Sequence, residues 1–135
     1  MKVLVTGAGG FIGSKLCKKL ISEGYEVYGI IHNNPSKAEG IQIINADLTK
    51  NDFVIPDVKF DAVFHLAAAT PLVKDKKKQK RINYEGTVNL FEKIKDKTDF
   101  VIYASGLGVF GNTNEVVTEQ SLIQPDTDFV KIRLD

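Results

Sequence analysis

The chain has 135 residues, 43% of them hydrophobic and 26% charged, which suits one globular domain and excludes two full-sized domains or a disordered polypeptide. With 18 basic against 17 acidic side chains the net charge is +1, so nothing global points to nucleic acid or a membrane surface. A single cysteine, Cys17, excludes an internal disulfide framework and a multi-cysteine metal centre. With no His/Cys/carboxylate cluster at ligand spacing, no metal site is expected.

In chain order, Lys2–Thr6 reads as a buried strand. From Phe11 to Glu23, Ile12, Leu16, Leu20 and Ile21 fall at helical spacing, and Gly24 closes that helix. Glu26–Ile31, Ile41–Asn45, Asp61–Leu66 and Asp99–Ser105 read as further strands, and Arg81–Lys95 as a helix with Val88, Leu90, Phe91 and Ile94 as its apolar set. Strands alternating with helices define an α/β chain with a doubly wound parallel sheet, a Rossmann fold in the order 3-2-1-4-5. The chain stops at Asp135 within what reads as a helix begun at Phe129. No signal-peptide core or apolar span is visible, so a soluble protein of the reducing cytoplasm is expected.

Between the first strand and first helix stands Thr6-Gly7-Ala8-Gly9-Gly10-Phe11-Ile12-Gly13. Gly7 permits a tight turn, Gly10 leaves room for a pyrophosphate beside the backbone, and Gly13 lets helix and strand pack closely. The helix start adds unpaired amides and a positive dipole end. The alternative is a tight turn with no ligand.

This segment resembles the fingerprint of the extended and atypical short-chain dehydrogenases/reductases, the nucleotide-sugar epimerase/dehydratase branch. Four later segments follow in the order that family would show: Asp47-Leu48, His65-Leu66-Ala67-Ala68, Asn83-Tyr84-Glu85-Gly86-Thr87, and Tyr103 to Gly111. The resemblance covers essentially the whole chain and implies an NAD(P)-binding domain over residues 1–135, with a substrate domain expected beyond. It implies that Phe11 and Ile12 belong to the cofactor turn, that Asp47 bonds the adenine amino group and that Leu48 lines the adenine pocket. Ala67 and Ala68 would pass close to the ribose and nicotinamide. The alternatives are a turn aspartate and close backbone packing. His65 reads as a packed strand residue.

An NAD-preferring site places a carboxylate at the end of the second strand. Here that strand ends Ile31-His32-Asn33-Asn34, and Glu26 lies at its other end. Without a carboxylate to repel a 2′-phosphate, and with His32 and Lys37 nearby in sequence, the reading leans to NADP over NAD.

The family chemistry uses a Tyr in a YxxxK pair, a Ser and an Asn. Counting back from Val109 places the Ser position on Gly106, with Ser105 adjacent. Counting on from Pro125 places the Tyr on Phe129 and the Lys on Arg133. Phe has no proton to give, and Arg stays charged. Asn83 matches its position, the alternative for it being a helix N-cap. The candidates for catalytic positions are therefore Asn83, Ser105 and Arg133. Two functions follow: an oxidoreductase-like epimerase or dehydratase acting on a small molecule such as a nucleotide sugar, or a non-catalytic NADP sensor or scaffold. The resemblance also makes a homodimer through Arg81–Lys95 and the Phe129 helix plausible. The basic run Lys74–Arg81 reads as a solvated loop and helix start, the alternative being an attractant for a phosphorylated ligand.

Overall fold

The structure is a computed structural model and describes residues 1–35, 39–132 and 134. Five strands, β1 (Lys2–Thr6), β2 (Glu26–Ile31), β3 (Gln42–Asn45), β4 (Ala62–His65) and β5 (Val101–Tyr103), pair in parallel in the order β3-β2-β1-β4-β5. This is the doubly wound order expected from the sequence. β1 lies between β2 and β4 and is covered on both faces, which is why it reads as an unbroken apolar run.

Alternation along the strands sends side chains to two cores. One joins Leu4, Tyr28, Ile30 and Val63 to Leu90 and Ile94; the other joins Val3, Val5 and Val27 to Cys17 and Leu20. Helix α1 (Phe11–Ser22) buries Gly13, Cys17 and Leu20, whereas Ile12 is exposed, so the expected stripe is rotated by one residue at its start.

The helix expected over Arg81–Lys95 begins earlier. Helix α2 (Lys76–Lys80) starts on Asp75, whose carboxylate accepts the amides of Lys77 (2.9 Å) and Lys78 (3.1 Å). A negative cap at the N-terminus offsets the unfavourable placement of lysines in the first turn. The backbone continues through a π turn, Arg81–Glu85, into α3 (Gly86–Ile94), and the Gly86 amide reaches back five residues to the Arg81 carbonyl. The basic run is therefore loop at Lys74 and helix from Lys76 onward, a loop and helix start as its composition suggested. A 3₁₀ turn (Leu107–Phe110) and a short helix α4 (Asp128–Lys131) follow β5. No helix among the described residues is long and apolar enough to cross a membrane.

Candidate functional site

The strand order reverses between β1 and β4, and the carboxyl edge there is where an open α/β sheet leaves a crevice. The glycine turn forms its base. Gly7 has φ +68, and its carbonyl accepts the Gly10 amide at 2.9 Å. The first amide of α1 to find a helical carbonyl is that of Ser14, on Gly10 at 3.0 Å, so the amides of Phe11, Ile12 and Gly13 have no partner within the helix.

The glycines serve three different ends. A Cβ at Gly13 would lie 2.1 Å from the Gly7 carbonyl oxygen, so this glycine lets the helix sit on the turn. At Gly10 a Cβ would meet only the Gly7 oxygen, at 3.1 Å, and its outer side is open. The corner can thus accept a phosphate against the backbone, and the fit of a dinucleotide's diphosphate rests on this geometry. Gly9, which the spacing did not single out, would place a Cβ 1.9 Å from the Asn34 carbonyl oxygen. It is small because the chain leaving β2 crosses directly over it.

Gly7, Gly10, His32, Asp47 and Leu48 all line the crevice, of about 930 Å³, together with Ala67 and Ala68. Phe11 and Ile12 do not line it with side chains, which point to solvent, and Gly13 lies behind the turn. Asp47 Oδ1 accepts the Thr49 amide (3.0 Å) and hydroxyl (2.8 Å), while Oδ2 stands 3.8 Å from His32 Nε2. It is thus both a turn aspartate and a crevice residue. Burial pushes its carboxyl up, but the Thr49 hydrogen bonds and the charges of His32 and Lys50 outweigh this and hold it below the ordinary carboxylate value. Asn89 Nδ2 donates to the Leu48 carbonyl at 2.9 Å, tying this turn to α3. Glu26 is bonded to Tyr28 and Gln42 at the start of β2, and of the described residues that directly follow the strand, His32 to Pro35, none is acidic.

Beneath the Leu66–Ala69 segment runs a chain of buried polar groups. Thr6 Oγ1 accepts the amides of Leu66 (3.1 Å) and Ala67 (3.0 Å) and lies 2.7 Å from His65 Nδ1. His65 Nε2 is 2.9 Å from Thr87 Oγ1, which donates to the Asn83 carbonyl at 2.8 Å. With the Thr87 proton on Asn83 and both Thr6 acceptor positions filled, Thr6 donates to Nδ1 and Nε2 donates to Thr87. Asn83 completes the circuit: Oδ1 accepts the Ala69 amide (2.7 Å) and Nδ2 donates to the Ala69 carbonyl (3.1 Å). Asn83 therefore lies mid-helix in the π turn, not at an N-cap, and His65 is a packed strand residue with a fixed hydrogen-bonding role.

A second cleft of about 570 Å³ adjoins the first at Ala68 and Ala69. Its walls include Ser105, Gly106 and Phe129. The step from Gly106 to Ser105 does not remove Ser105 from this cleft, because β5 ends at Tyr103 and strict alternation stops there. Tyr103 stacks behind, its ring 5.4 Å from that of His65. Arg133 and Lys37 lie outside the described residues. Among the described residues no group of three or more His, Cys, Asp or Glu side chains could hold a metal ion.

A family model described as the NAD dependent epimerase/dehydratase family matches residues 3–129. The UDP-glucose 4-epimerase of Mycolicibacterium smegmatis is 30% identical over 138 aligned positions, covering 90% of this chain and 44% of that protein. The ADP-L-glycero-D-manno-heptose-6-epimerase of Brachyspira hyodysenteriae is 32% identical over 122 positions, covering 82% and 38%. Among solved structures, a UDP-glucuronic acid 4-epimerase from Bacillus cereus in complex with NAD superposes with TM-score 0.77 at 32% identity, over 99% of this chain and 48% of that one. The chain belongs to the NAD-dependent epimerase/dehydratase family. It spans less than half the length of these relatives.

Proposed function

We propose that residues 1–135 are the NAD(P)-binding domain of an epimerase- or dehydratase-type oxidoreductase whose substrate-holding residues lie beyond this stretch. The observation that carries this is the glycine corner, with three helix amides lacking helical acceptors beside a large crevice at the sheet's reversal point. The diphosphate rests on the amides after Gly10, those of Phe11 and Ile12. Asp47 Oδ2, left unused by its turn, accepts the adenine amino group, and Leu48 packs on the ring. The backbone of Ala67 and Ala68 borders the nicotinamide ribose, held in place by Thr6 and Asn83. The bound dinucleotide supplies the hydride acceptor; the chain supplies its orientation. Ser105 faces the adjoining cleft, and Arg133 takes the place of the family lysine as a hydroxyl or phosphate donor. The nucleotide sugars named for related proteins make a nucleotide sugar the favoured substrate class. The absence of a carboxylate at the end of β2, where His32 enters the crevice, supports NADP over NAD.

Phe129 in the wall of the second cleft favours a second reading, a protein that binds NADP without tyrosine chemistry and acts as a sensor or scaffold. The exposed Val88 and Phe91 on α3 support a homodimer through that helix.

Calorimetric titration with NAD and NADP tests the shared claim, and no heat with either at millimolar concentration overturns it. Deuteride exchange from labelled NADPH into nucleotide sugar by the full-length protein, lost on Asn83 replacement, selects the enzyme. Tight binding without exchange selects the sensor.

A further inference from the structure

The basic run that opens the helix after β4 is not used by the glycine corner. It presents two populations of side chain. Lys76 is paired with Asp128 at 2.8 Å, and the Lys80 ammonium lies 5.9 Å from the centre of the Tyr84 ring. Lys77, Lys78 and Arg81, spaced i, i+1 and i+4, share the other face and line the crevice. Among the described residues no carboxylate lies within 4.0 Å of these three cationic groups.

Each carboxylate of the crevice uses one oxygen, Oδ1, within its own turn. Asp75 accepts the Lys77 and Lys78 amides, and Asp47 is held by Thr49 and faces His32. The diphosphate of a dinucleotide would be met by neutral amides at the glycine corner, so it leaves this wall of three positive charges without a counter-ion. Three exposed cations on one wall of the crevice, none of them ion-paired among the described residues and one a guanidinium fork, suit a compact dianion.

We propose that Lys77, Lys78 and Arg81 form a phosphomonoester-binding wall, separate from the diphosphate corner, in the crevice that the proposed function assigns to the dinucleotide. The phosphomonoester is either the extra phosphate of NADP or a phosphate on a separate ligand. The inference rests on that assignment only for the first source.

The test is a triple variant, K77Q/K78Q/R81Q, beside a control, K76Q/K80Q, titrated calorimetrically with NAD, NADP and inorganic phosphate. Glutamine keeps the helix propensity while removing charge, and circular dichroism verifies that both variants fold. If the cofactor carries the phosphate, the triple variant weakens NADP about 30-fold and NAD less than about 3-fold, with the control like wild type. If a separate ligand carries it, inorganic phosphate binding falls by about 10-fold or more while the NADP-to-NAD ratio is unchanged. Equal weakening of NAD and NADP without loss of phosphate binding, or no change in any titration, overturns the wall. Wild-type chain that binds phosphate but neither dinucleotide overturns the proposed function and leaves the wall standing.

Discussion

The carboxamide of Asn83 faces the peptide group of Ala69 and closes two hydrogen bonds on it, one in each direction, at 2.7 and 3.1 Å. A side chain from the helix thereby substitutes for a neighbouring strand at the point where the chain has left β4. Both partners are buried, with Asn83 only 3% exposed. Replacing Asn83 by alanine leaves a buried amide and carbonyl unpaired and is expected to cost about 2–4 kcal/mol in urea denaturation. It also loosens the Ala67–Ala69 wall, so dinucleotide affinity falls with it.

Gly10 and Gly13 separate ligand approach from packing. Gly10→Ala meets only one carbonyl oxygen and is expected to lower stability by about 1 kcal/mol or less, while weakening dinucleotide binding at least about tenfold. Gly13→Ala forces a methyl against the Gly7 carbonyl and is expected to cost about 3 kcal/mol in the absence of any ligand. Denaturation midpoints and calorimetry on the two variants distinguish the roles.

Asp47 makes the acid limb of stability measurable. Its folded carboxyl titrates below the ordinary value of 3.8, so its stabilising contribution is complete above that value and is lost as pH falls through the lower folded value. Asp47→Asn is therefore expected to be less stable than wild type near neutrality and to lose less stability between about pH 5 and pH 2. Denaturation midpoints across that range provide the measurement.

Cys17 is fully buried among Val3, Val5 and Leu20, and burial pushes its thiol above its ordinary value. The native chain is expected to react with an aromatic disulfide reagent only as fast as it opens, and at once in denaturant. Stoichiometric labelling of the native chain within seconds contradicts the packing described.

Val88 is 44% exposed on a helix whose opposite face carries Leu90 and Ile94 into the core. If α3 mediates dimerisation, Val88→Lys converts a dimer to a monomer in light scattering without shifting the thermal midpoint of the monomer. An unchanged molar mass excludes that face.

The sheet was legible because the central strands β1 and β2, buried on both faces, leave continuous apolar runs, and because the turn after β1 announces itself in its glycines. Asp47 and Leu48 were legible through family resemblance, and their anchoring by Thr49 and Asn89 was not, since neither partner carries a pattern of its own. The reason for Gly9 was hidden because its neighbour, Asn34, arrives from another loop. The helix start was misplaced because a run of lysines hid its cap: Asp75 is followed at once by basic rather than acidic residues. Asn83 could be mistaken for an N-cap for the same reason.

The π turn has a geometric consequence for the whole helix. It inserts one residue beyond the α repeat, and each residue of a helix advances about 100° around its axis. Deleting a single residue between Arg81 and Glu85 would restore a regular ladder yet swing everything upstream by that angle relative to Leu90 and Ile94. The insertion acts as a phase shifter: it lets one rod keep its oily side on the sheet and its charged side over the crevice.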